Sequence, residues 1–103
     1  VILMFEVYTK LAYTETTKTY HVDDTLTTLQ LVNYIRENVY RDMNIENNRI
    51  IELVETGQFN NVNGRDPELA PAFVPTELTL TEKFGGNNTL ISFYIRIIER
   101  PTQ

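Results

Sequence analysis

The spacing of apolar residues changes twice along this chain, and those changes limit its fold more than any other feature. In Ile2–Thr9, Leu3, Phe5 and Val7 alternate with Met4, Glu6 and Tyr8. That is the period-two pattern of a strand buried on one face. After the polar residues 13–17, Lys18-Thr19-Tyr20-His21-Val22 alternates again, with Tyr20 and Val22 toward the core and Thr19 and His21 away from it. Two such runs joined by a short polar link predict an antiparallel hairpin. From Leu26 to Met43 the spacing lengthens to three or four. Leu29, Val32, Ile35, Val39 and Met43 form one stripe, and Arg36, Glu37, Arg41 and Asp42 lie off it. This predicts an amphipathic helix, started by the capping oxygens of Asp23-Asp24-Thr25 and ended by Asn44, Asn47 and Asn48. The period returns to two in Arg49–Val54, stopped near Gly57, and in Thr89–Ile98, stopped by Pro101. In the last run Ile91, Phe93, Ile95 and Ile97 alternate with Ser92, Tyr94 and Arg96.

Between the third and last strands, residues 58–75 carry Asn60-Asn61, Asn63-Gly64, Asp66-Pro67, Pro71 and Pro75, a dense set of turn signals. A loop this long exceeds the usual connection and is expected to be a binding element or a poorly ordered insertion. Leu69, Ala70, Ala72, Phe73 and Val74 give it apolar material with which to dock. Thr81-Glu82-Lys83-Phe84-Gly85 predicts one short helical turn, capped by Thr81 and closed by Gly85-Gly86.

A chain of 103 residues suits one domain, here 1–103 with 58–75 as a long loop and 99–103 as a tail. Its formal net charge of −5 repels phosphate backbones and anionic lipid, so neither nucleic acid nor membrane is an expected partner. The absence of cysteine removes disulfides, thiolate catalysis and cysteine-ligated zinc. No apolar run reaches the roughly 20 residues of a membrane helix. Val1-Ile2-Leu3-Met4-Phe5 runs directly into the strand pattern rather than into a signal peptide, which favours an intracellular setting, cytoplasmic or nuclear, or a place in a large assembly.

The order of hairpin, long helix, strand, loop with a short helical turn, and final strand allows the last strand to lie beside the first as a parallel neighbour. Thr19-Tyr20-His21-Val22-Asp23-Asp24-Thr25 leading into the helix, Arg49-Ile50-Ile51 on the third strand, and Leu80-Thr81-Glu82-Lys83-Phe84 before Asn88-Thr89-Leu90-Ile91 carry the resemblance. Over nearly its full length the chain resembles a ubiquitin-like domain. The resemblance implies an α+β, ubiquitin-like β-grasp fold: a mixed sheet with one long helix packed across it. It also implies function through protein contacts rather than catalysis. Two departures qualify it. The tail Ile98-Glu99-Arg100-Pro101-Thr102-Gln103 lacks the terminal Gly-Gly pair of conjugated modifiers, and Gly85-Gly86 lies before the last strand. Glu52 sets a charge within the sheet face that ubiquitin uses to meet its receptors.

Catalytic sets are missing from the sequence. His21 is the single histidine, so a solvent-facing strand residue is the expected role. Asp23-Asp24 is explained by helix capping. Glu46, Glu52 and Glu55 have no spacing that straddles a substrate. No enzyme activity, metal, cofactor or small-molecule substrate is expected. Two surfaces remain as candidate partner sites. One is the exposed sheet face with Met4, Tyr8, His21, Val54, Tyr94 and Arg96, since tyrosine and arginine favour interface centres. Tyr8 and Tyr94 would equally stabilise the sheet as cross-strand neighbours. The other is the loop, through Leu69, Phe73 and Val74. The expected function is a non-catalytic protein-interaction domain, an adaptor or a structural component of a larger assembly. The Thr-, Asn- and Ile-rich composition, suited to an AT-rich genome, fits a viral or organellar one. The alternatives are a conjugated ubiquitin-like modifier with a truncated or unprocessed tail and a small-GTPase-binding domain. The latter usually offers a basic second strand, where this chain has only Lys18 and His21.

Overall fold

The computed structural model describes residues 4–60, 70–85 and 89–98. Its elements are β1 (Met4–Leu11), β2 (Thr17–Asp23), α1 (Thr28–Asp42), β3 (Ile50–Glu55), α2 (Thr56–Asn60), α3 (Leu80–Phe84) and β4 (Leu90–Ile98). The four strands form one sheet in the order β2-β1-β4-β3. β1 runs antiparallel to β2 and parallel to β4, and β3 runs antiparallel to β4. The parallel central pair requires a long crossover, which α1, β3 and α3 supply. The fold is a small α+β unit: a mixed sheet with one long helix packed on it.

Alternation decides which side chains meet that helix. Phe5 and Val7 of β1, Tyr20 and Val22 of β2, Ile51 and Leu53 of β3, and Ile91, Phe93 and Ile95 of β4 point to one face. They pack against Leu31, Val32, Ile35 and Val39 of α1. Burying each such side chain contributes about 1.5–3 kcal/mol, so this layer is the main source of stability. The stripe differs from the sequence expectation at one point. Leu31 is fully buried, while Leu29, although inside α1, is 38% exposed, because it sits about a quarter turn off the line of Val32, Ile35 and Val39. Its cap is Thr27, whose hydroxyl accepts from the Gln30 amide while the Gln30 side chain accepts from the Thr27 amide. Asp23, expected to start the helix, instead closes a turn by accepting from the Thr25 amide at 2.9 Å.

The short helix is shifted in the same way. Thr79, not Thr81, caps α3, with Glu82 completing the reciprocal pair. The Thr81 hydroxyl donates to Asp24 at 2.9 Å. Gly85 ends α3 at φ 83°, a left-handed backbone that favours glycine. The two capped ends lie back to back: Thr27 and Thr79 form an antiparallel bridge, the Thr28 amide donates to the Leu78 carbonyl, and the Leu80 amide donates to the Leu26 carbonyl. Orphan donors at helix starts thus find partners in the neighbouring segment.

The expected long loop is partly structured. Gln58, Phe59 and Asn60 belong to α2, and Ala70 is buried. The Phe73 amide donates to the Leu53 carbonyl at 2.7 Å, and the Phe73 ring packs on Phe84 and Phe93. Among the described residues, the threonines Thr9 and Thr28 are fully buried. Thr9 donates to the Lys18 carbonyl, and Thr28 donates to the Thr76 carbonyl.

Candidate protein-binding surface

The sheet face turned away from α1 carries, by register, Met4, Glu6, Tyr8 and Lys10 of β1 and Thr17, Thr19, His21 and Asp23 of β2. It continues with Leu90, Ser92, Tyr94, Arg96 and Ile98 of β4 and Ile50, Glu52 and Val54 of β3. Its β3–β4 half is covered around Val54 and Tyr94. Phe59, presented by α2, stacks on Tyr94 with ring centroids 4.2 Å apart. Phe59, Val54 and Ala70 form a second small core with Ala12 and Tyr94 packed against it. A five-residue helix has no stability of its own, so this stacking is what holds α2 down.

Three of the expected face residues are therefore not available to a partner. Val54 is fully buried beneath the α2 cover. Tyr94 is half-buried beneath Phe59. Arg96 gives Glu52 two bonds, from Nε at 3.1 Å and Nη2 at 2.5 Å, and donates through Nη1 to the Ala70 carbonyl at 2.7 Å. Glu52 is thus one partner of a cross-strand ion pair and not a bare charge amid an open patch. Tyr8 and Tyr94 are not opposite neighbours: Tyr8 faces Ser92 and Tyr94 faces Lys10.

The β1–β2 half stays open. Met4 is 51% exposed and Tyr8 38%, and His21 lies at the surface with Nε2 3.7 Å from Glu6. Leu90, directly across from Glu6, is 54% exposed and joins this surface, although the strand pattern alone did not single it out. Its signal was its outward phase in the β4 alternation. Phe59, equally missed, was legible only as one aromatic residue in an otherwise polar stretch.

Of the loop candidates, Leu69 lies outside the described residues. Phe73 is half-buried and belongs to the main core. Val74 is 74% exposed beside it. Cavities of about 210 Å³ and 270 Å³ open near Glu55 at this end of the sheet. In the first, the Ser92 hydroxyl lies 2.6 Å from the Thr56 hydroxyl and is held by it rather than by a base.

Electrostatics mark a separate structural point on the helix side. The Tyr20 hydroxyl donates to Asp42 at 2.8 Å. Burial, reinforced by that carboxylate, pushes the Tyr20 phenol above its ordinary range, and the same bond holds the Asp42 carboxyl below its own. Among the described residues, no group of three or more His, Cys, Asp or Glu is placed to hold a metal ion, and no helix is long and apolar enough to cross a membrane. No family model, no curated protein and no solved structure matches this chain.

Proposed function

We propose that this chain is a ubiquitin-like β-grasp interaction domain, without catalysis of its own, that holds a protein partner on the open half of its sheet. The element order and the central parallel β1–β4 pair are compatible with that fold. One observation carries the binding reading. The outer face is roofed by Phe59 and Ala70 over Val54 and Tyr94, whereas Met4 and Tyr8 of β1 and Leu90 at the start of β4 remain exposed. Exposed apolar side chains clustered on rigid strands, with polar residues around them, are the usual makings of a contact site. Glu6, Asp23 and the net charge of −5 favour a partner with basic residues around an apolar centre. Such a domain serves as an adaptor or as a fixed component of a larger assembly.

Capture experiments with immobilised protein test this reading. A polypeptide retained by the native chain and by Val74→Asp, but lost with Tyr8→Asp and with Leu90→Asp, is the expected result. Equal retention by all variants removes the open half of the sheet as the contact site.

A further inference from the structure

The two edges of the sheet are treated differently. Along the β3 edge three outward carbonyls have partners: the Tyr40 hydroxyl donates to Arg49, just before the strand, Arg36 to Ile51, and the Phe73 amide to Leu53. Among the described residues no comparable cover lies on β2. The Leu11 amide donates to the Thr16 carbonyl at 2.9 Å. Carried through the register, this turns the backbone of Lys18, Tyr20 and Val22 toward β1. The amides and carbonyls of Thr17, Thr19 and His21 therefore point outward, and among the described residues no strand lies beyond β2 in the sheet. β2 also carries few of the devices that usually protect an edge: it has no proline, and Lys18 is its one lysine.

We propose that two copies of this chain pair β2 to β2, antiparallel, about a two-fold axis at Tyr20, joining their sheets into one. In this register Thr17 faces Asp23 of the second copy and Thr19 faces His21, in the hydrogen-bonding positions. Lys18 faces Val22, with Asp24 of the second copy as its diagonal neighbour, and Tyr20 faces itself. No like charges stand directly opposite one another, so local pairing offsets the repulsion between two acidic chains. Moving the axis to Thr19 would set Glu15 against Asp23. The Tyr34 ring, 41% exposed and edge-on to Tyr20 at 5.7 Å, stands beside the axis and gains cover from the second copy. The side chains and the Phe73 segment lying on the β3 edge disfavour a β2-to-β3 contact, so self-pairing closes at two copies. This association uses the β2 edge and not the surface of Met4, Tyr8 and Leu90, so it stands apart from the proposed partner site.

Sedimentation of the 103-residue chain up to about 1 mM, together with amide exchange, tests the proposal. A monomer–dimer equilibrium is expected. The Thr19 and His21 amides should slow as the dimer fills, while those of Lys18, Tyr20 and Val22 are protected throughout. Thr19→Pro removes an outward amide and no bond within the monomer, and should raise the dissociation constant about tenfold or more. Should that variant fail to fold, Lys18→Glu, at an exposed side chain, should weaken the dimer about threefold. The proposal is overturned by a chain that stays monomeric, by a dimer whose Thr19 and His21 amides exchange freely, or by growth beyond two copies.

Discussion

Thr28 does more for this fold than its size suggests. Fully buried at the first turn of α1, it accepts from the Thr76 amide at 2.7 Å and donates to the Thr76 carbonyl at 2.9 Å. Thr28→Val keeps the shape and removes both bonds, and should cost about 1–2 kcal/mol, read as a lower urea midpoint. Tyr20 and Asp42 act through protons. Asp42 is held below the ordinary carboxyl range by the Tyr20 hydroxyl, Asp23 by the Thr25 amide, and Glu82 by the Thr79 amide. The unfolded chain binds these protons more readily, so stability is lost as pH falls below about 4, through the folded values. The Tyr20 phenol is shifted the other way by burial and by Asp42. Its contribution is complete below about pH 10 and is lost as pH rises from there. Tyr20→Phe should therefore flatten both limbs of the stability–pH curve, measured by urea unfolding at each pH.

At the scale of elements, the strands and α1 were legible because each alternates or repeats over enough residues for its period to show. The core faces of β1, β2 and β4 follow directly from that alternation. The helix starts were displaced because several adjacent threonines and aspartates can all cap. Only Thr27 and Thr79 are followed at the third position by a Gln or Glu that reaches back. The cover on the outer face was not legible at all. α2 has no periodic pattern, and its place depends on Phe59 finding Tyr94 across the sheet, a contact that no local rule contains. For that reason Val54, Tyr94 and Arg96, which alternate outward as a surface residue would, are not free surface. Phe59→Ala should cost about 3 kcal/mol and release α2, seen as faster amide exchange in Thr56–Asn60 with β1 and β4 unchanged.

For the whole molecule, the contrast between edges predicts how it associates. Arg36→Ala with Tyr40→Phe exposes the Ile51 and Arg49 carbonyls together. The double variant should form assemblies larger than the native chain does at equal concentration, as light scattering would show. The strand order has a different consequence, which concerns synthesis. β1 and β4 are neighbours at the centre of the sheet, with Val7 paired to Ile91, and among the described residues β3 has β4 as its only strand partner. A growing chain that has emerged as far as α3 holds a hairpin and a helix, with β3 still unpaired. Its greasy strands must then wait on the ribosome surface for the last segment to arrive, since long-range pairing forms only after that large loop closes. The interval before β4 emerges is thus when this protein most needs the shelter of a chaperone.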